Sequence, residues 1–423
     1  MKKPWTADDD LLSKQTLAPE GLAPQYVITL YEGGWITANL IAGEQNGVVT
    51  YDDALNVVQE VAAQPMNATL LNLFQVAVEI INTPGAETAS PYVTQMLDNI
   101  ALGNLANATW NGGSNTAVAL GNLSATSTQA QFEELIGKWF LGTDMPGDAY
   151  APGMGPLLSM SYKDYSSVPL FAAGGPSYTD VNQGQVNDCW FDSALASVAL
   201  QDPSLIEQII KPNGNGTYSV EFQVNGKPTW ETVNTQLPTY TTQPQYDGSH
   251  LAANNGSGSL WAELIEKGAA QLSAQAATGM QYLGLNNQYY ALDGGLGEGL
   301  SLLTGQNVSD ISLYPLADPK LATTLQGVQN ALFDGSGNRL PNEAILTTSA
   351  QAATNPLIAL HAYALTNVTM NSLYPNEEAL GLDNPWGVNG TDAGYSQFFS
   401  TFATTLVNDH ASIFVASGPT TVV

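Results

Sequence analysis

Cysteine is almost missing from this chain: there is one in 423 residues, at position 189. A single thiol forms no internal disulfide, so any extracellular form has to be stable without staples. Basic residues are scarce as well. Lys and Arg total 10 against 38 Asp and Glu, a net charge of −28 in a chain of which only 11% is charged. The sequence is poor in bases more than rich in acids. This argues against nucleic-acid or anionic-membrane binding, both of which need clustered Lys and Arg. It suits a protein that works outside the cytoplasm or at low pH, or one that binds calcium. No apolar run approaches the length of a bilayer-spanning helix, so membrane insertion is not expected. The start, Met1-Lys2-Lys3, is positive, but Pro4-Trp5-Thr6-Ala7-Asp8-Asp9-Asp10 turns acidic where a secretory leader turns apolar. The expectation is a bacterial protein secreted without a Sec-type signal, or otherwise a cytoplasmic one.

Hydrophobic residues make up 44%, and the length suggests two or three domains. Residues 1–25 read as a polar arm. A helical domain is expected over 26–145. Thr50 or Asp52 caps a helix through Ala54, Val57, Val58 and Val61, and Leu70 to Ile81 is apolar enough to be buried nearly all round. Tyr92, Met96, Leu97 and Ile100, then Phe132, Leu135, Ile136 and Trp139, mark two more helices. Within this domain, Ala42 to Asp53 partly follows a helix–loop–helix calcium motif, with Glu44, Asn46 and Asp53 as candidate ligands. Ala42 stands where the first Asp belongs. Residues 146–166 are rich in Gly, Pro and Ser and read as a linker, a natural processing site.

Beyond it, Asn182 to Asp188 is an irregular polar loop that runs into an apolar helix carrying Trp190, Phe191, Ala194, Leu195 and Val198. Asp188 is the candidate N-cap. Cys189 then falls in the first turn, where the helix dipole and unpaired N–H groups favour a thiolate. A free cysteine is more often an inert small hydrophobe. Here a Gln six residues upstream, Gln183, could supply a donor to a developing oxyanion beside the Cys189 backbone N–H. Further on, Gly216 to Val224, Asn225-Gly226 and Thr229 to Val233 read as a hairpin, and Gly258 to Leu272 as an amphipathic helix. Leu357 to Leu360 and Ser412 to Val415 look like strands.

A thiolate nucleophile needs a base, and there are three histidines: His250, His361 and His410. His250 lies in a turn and His410 has no evident partner. His361 ends an apolar run. Twenty-three residues later comes Asn384, held extended by Pro385, with Trp386 beside it. An Asn can fix the imidazole tautomer, and an indole can keep water off that bond. Cys, His and Asn in this chain order form a papain-type triad.

These residues also resemble the calpain family of cysteine peptidases. Pro176-Ser177, Asp180-Val181-Asn182-Gln183-Gly184 and Asp188-Cys189-Trp190-Phe191 are similar to its nucleophile segment. Leu260 to Lys267 resembles its first-lobe helix, His361-Ala362-Tyr363 its histidine motif and Asn384-Pro385-Trp386-Gly387 its asparagine motif. The four matches fall in family order over about 168–390. Asn187 stands in place of a usual Gly, Asp192 and Ser193 in place of apolar residues, and Asp383 in place of a usual Arg. Nothing resembles the family's calmodulin-like or membrane-binding modules.

The resemblance implies an α+β fold: a two-lobed papain-like core, lobe one over 167–275 and lobe two over 276–423, preceded by the small helical domain. It implies Cys189 as nucleophile, His361 as general acid/base, Asn384 as its orienter, Gln183 as oxyanion donor and Trp386 as shield, with Asp188 and Trp190 in support. The chemistry needs no cofactor, and calcium enters as an activator. The expected partners are a protein or peptide substrate and the chain's own N-terminal domain as inhibitor. The rival readings are a transglutaminase-like acyl transferase and a catalytically silent, calcium-binding interaction protein.

Overall fold

The computed structural model describes residues 48–81, 89–147, 160–184, 186–240, 258–275, 287–317, 319–352, 356–371, 378–387 and 395–417. The chain divides into two compact units: 1–108 with 120–140, and 109–119 with 141–423.

The first unit is helical. Helix α1 (Tyr51–Ala62) starts at a capping box: Asp53 N–H donates to Thr50 Oγ1 (3.3 Å) and Thr50 N–H donates to Asp53 Oδ2 (3.0 Å). Helix α2 (Ala68–Ile81) follows, then α3 (Pro91–Ala101) behind the Ser90 cap and α4 (Gln129–Trp139) behind Thr128. Only Phe74, Ala77, Val78 and Ile81 of α2 are buried, and Val76 is 43% exposed. The expectation of burial all round fails because, among the described residues, the neighbours of this helix lie on one side. Trp139, at the centre of this unit, is fully buried and donates its indole N–H to Asn107 Oδ1 (2.7 Å).

The second unit opens with a short strand pair, β1 (Thr109–Trp110) and β2 (Val118–Ala119). Asn111 and Gly112 N–H donate to Asp144 Oδ1 (2.6 and 2.9 Å), and Asn287 Nδ2 donates to Asp144 O (2.7 Å). Segments that the sequence assigns to the helical domain are thus tied to the second lobe. Strand β3 (Met160–Asp164) pairs antiparallel with a later strand, Gln236–Tyr240. Part of the supposed linker is therefore sheet, because its partner lies about 75 residues on, beyond the reach of local composition.

Next come α5 (Cys189–Gln201), α6 (Pro203–Ile209) and a three-stranded sheet of β4 (Ile210–Pro212), β5 (Thr217–Val224) and β6 (Lys227–Asn234). The expected hairpin is β5–β6, turning at Asn225-Gly226. After β7 (Gln236–Tyr240) comes α7 (Trp261–Leu272). Every residue of α7 is buried, its two Glu and one Lys included, so this amphipathic helix lies in the core. Its polar positions follow the helical period, but protein covers both faces.

The second lobe adds α8 (Glu298–Thr304), β8 (Asn307–Ser312), α9 (Lys320–Leu332), β9 (Glu343–Thr347), β10 (Ala362–Thr369), β11 (Ala379–Asp383), β12 (Phe398–Phe402), α10 (Ala403–Asn408) and β13 (Ser412–Ser417). Six strands form one antiparallel sheet in the order β12-β11-β10-β9-β13-β8. One face shares a core with α5, α7 and β5 through Ile345, Ala362, Ala364 and Phe414. The other packs on α9 and α10 through Leu325, Val328, Leu346, Tyr363 and Leu406. Residues 357–360 are not a strand: Leu360 has φ 55° and is 73% exposed. His361 accordingly stands just before a strand, not at the end of one.

Candidate active site

Helix α5 begins at Cys189 because Asp188 holds its N-cap position, yet the Asp188 side chain makes no capping bond. It is fully buried and accepts instead from Gln183 Nε2 (3.4 Å). Gln183 Nε2 also donates to Val186 O (2.7 Å), and Gln183 N–H donates to Pro385 O (2.6 Å). In this state the Gln183 amide is directed at protein acceptors. Trp190 turns into the core and donates its indole N–H to Leu292 O (2.6 Å). Ser197, two turns on, bonds Ala344 through both its N–H (2.9 Å) and C=O (3.0 Å), which ties α5 to β9.

Antiparallel pairing of Ala364 with Asp383 places His361 and Asn384 side by side at one end of β10 and β11. His361 Nε2 lies 2.9 Å from Asn384 Oδ1, and that oxygen also accepts from Trp386 N–H (3.1 Å). An oxygen that accepts a backbone N–H needs a donor on the imidazole as well, so Nε2 carries the proton and Nδ1 holds the lone pair. The ring lies between Tyr363 (4.8 Å, edge-on) and Trp386 (4.9 Å), and Trp386 meets Tyr395 at 5.5 Å. Thr348 Oγ1 accepts from His361 N–H (3.0 Å) and fixes the backbone. The next residue, Ala362, directs its backbone N–H at the Cys189 sulfur. The sheet end thus pairs His361 with Asn384, and the residue after His361 meets the Cys189 sulfur.

The charge states differ from expectation. Burial, followed by the carboxylates of Asp188 and Asp192, pushes the Cys189 thiol up to about 12, outweighing the Ala362 and Trp190 N–H groups. Burial holds His361 down at about 4, against the Asn384 bond. Cys189 as a residue is half-buried. Burial first, and then the two acids next to the sulfur, work against the thiolate that a helix end favours.

Asp192, Glu263 and Glu266 gather beside Asp188, a cluster that the sequence reading missed. Its only trace was acids at helical spacing on two helices. Of the candidate calcium loop, Glu44 and Asn46 lie outside the described residues, and Asp53 serves the α1 cap. His250 is likewise outside them. His410 stacks on Tyr314 at 3.7 Å.

Two other buried acids make stability depend on pH. Burial, then Asp202, raises Glu343 to about 8, and burial raises Asp383 to about 8 against a Gln397 bond. The unfolded carboxyls titrate near ~4. Between those values the folded chain holds protons that the unfolded chain has released, so stability falls as pH rises from about 4 to 8. His361 acts oppositely, but only between about 4 and 6.5. The melting temperature is expected to drop from pH 5 to pH 8, and Glu343→Gln with Asp383→Asn should make that slope shallower, leaving the share of Asp188, which burial raises to about 7. A melting temperature that climbs over this range would contradict it.

A cysteine at a helix N-terminus, set against a bonded His–Asn pair at a sheet end, is the arrangement of a cysteine-type endopeptidase. Residues 161–405, more than half of the 423, match the model of the calpain family of cysteine proteases, and the chain belongs to that family. Calpain clp-4 of Caenorhabditis elegans is 30% identical over 227 residues, covering 52% of this chain and 29% of that protein. Calpain-8 of Homo sapiens matches to the same extent. The calpain-2 catalytic subunit of Gallus gallus is 28% identical over 270 residues, 59% of this chain and 35% of that one. The chain spans between 29% and 35% of the length of these relatives. No helix among the described residues is long and apolar enough to cross a membrane.

Proposed function

We propose that the protein hydrolyses peptide bonds of protein substrates through Cys189, His361 and Asn384. The observation that carries this is the 2.9 Å His361–Asn384 bond, placed one residue from the Ala362 N–H that meets the Cys189 sulfur. Asn384 holds the Nε2–H tautomer, which leaves Nδ1 to take the thiol proton as sulfur attacks the scissile carbonyl. The oxyanion forms beside the Cys189 N–H, at the first position of α5 where no helical carbonyl precedes it. Gln183 joins as second donor by turning one amide hydrogen away from Val186 O. His361 returns the proton to the leaving amine, then deprotonates the water that hydrolyses the thioester. Trp386 and Tyr363 keep bulk water off the ring.

The test is product analysis on an unfolded protein substrate with an added primary amine. New free carboxyl ends support hydrolysis. Amide products point to acyl transfer, and no turnover under any condition points to a silent binding protein.

Maturation by self-cleavage within 148–159 is part of the same reading. The preceding segment remains held after such a cut, by Asn287 Nδ2 on Asp144 O and by Gly147 N–H on Asn287 O (2.8 Å). Full-length protein is expected to give two fragments that co-elute, and Cys189→Ala none. A cut that persists in Cys189→Ala would mean another protease.

A further inference from the structure

The turn that leads into His361 holds a conformation that its sequence does not favour. Among the described residues, four other than glycine have positive φ: Asn225, Asn287, Leu360 and His410. Asparagine enters this region readily, whereas the Cβ of a leucine crowds the following carbonyl there. Leu360 sits at φ 55° all the same, because its surroundings hold it. Leu360 N–H donates to Ser349 O (3.2 Å), and Ser349 Oγ in turn donates to Asp409 O (2.9 Å). On either side of it, Ile358 N–H donates to Tyr363 Oη (2.8 Å), His361 N–H to Thr348 Oγ1 (3.0 Å) and Thr348 N–H to His361 O (2.9 Å). Strain that so many bonds keep in place is a mark of function.

Packing does not account for it. Leu357, three residues earlier, is buried in the core beside the sheet, but Leu360 is 73% exposed. A lone apolar residue on a surface needs no explanation. This one combines exposure with strain and adjoins the imidazole. Consecutive Cα atoms lie about 3.8 Å apart, so the leucine starts within reach of whatever His361 meets. Because φ sets the direction of Cβ, relaxing the turn would re-aim the side chain.

We propose that Leu360 is a specificity-determining residue that selects an apolar side chain on the substrate residue following the scissile bond. This rests on the peptidase reading and on His361 as general acid, since a residue beside the group that protonates the leaving amine serves the leaving side of the bond. The acyl side belongs to Cys189 and the first turn of α5. An apolar substrate side chain laid on Leu360 takes apolar surface of both partners out of water, which a polar one does not.

The experiment maps the bonds that the full-length protein cuts in casein. It then measures kcat/KM on two peptides built around one such bond, with Leu or Ser after it. The parent should prefer the leucine peptide by about tenfold or more. Leu360→Gly and Leu360→Asn, both at ease at positive φ, should bring the ratio down to about one. Leu360→Met keeps the apolar bulk and should retain most of the preference. An equal fall on both peptides with the ratio unchanged would mean that the turn only holds His361, and would overturn the proposal. A parent without preference would overturn it as well. In both cases the peptidase reading stands. Casein left uncut, or cut equally by Cys189→Ala, would remove that reading and this proposal with it.

Discussion

Replacing Cys189 with alanine is expected to lower kcat/KM for peptide hydrolysis by at least about 10⁴-fold, since a covalent route has no substitute once its nucleophile is gone. The fold should survive. Cys189 is half-buried and small, and α5 is anchored by Trp190 on Leu292 and Ser197 on Ala344, not by the sulfur. His361→Ala should cost nearly as much, because the thiol then has no acceptor for its proton. Asn384→Ala should cost less: it loses the bond that fixes the tautomer but leaves the ring packed against Tyr363 and Trp386. Losses in this order, with unchanged melting temperatures, fit groups that act as one unit. Activity retained in Cys189→Ala would sink the reading outright.

Alkylation of Cys189 by iodoacetamide, without added metal, is expected to rise about tenfold per pH unit from 7 to 10. With the thiol near 12, the thiolate fraction at pH 7 is about 10⁻⁵, against about 3% for an ordinary thiol near 8.5. The more basic thiolate is the better nucleophile, which recovers part of that gap, so the net rate should be about 100-fold below a free thiol. Asp192→Asn removes an acid that opposes the thiolate wherever it is ionised, and should speed the reaction at the alkaline end of this range. A rate that is already fast at pH 6 and level from there upward would mean a resting thiolate–imidazolium pair, contrary to a thiol raised and an imidazole lowered by burial.

The sequence by itself was enough to single out the candidate residues for the chemistry. A lone cysteine at the start of an apolar helix, one histidine of three with an Asn-Pro-Trp segment 23 residues on, and the β5–β6 hairpin with its Asn-Gly turn are all local patterns. Local patterns survive translation into structure because backbone preference and side-chain period act over a few residues. Tertiary structure decided what depends on distant partners. It made Met160 to Asp164 a strand of the larger unit and tied 109–119 to Asp144. It buried both faces of α7, and it put Asp188 to work on Gln183 instead of on its own helix. Above all it set the charge at the sulfur. Helix position favours thiolate, but burial and two acids, one of them a full turn away, outweigh it, and no one-dimensional pattern records how closely two helices pack.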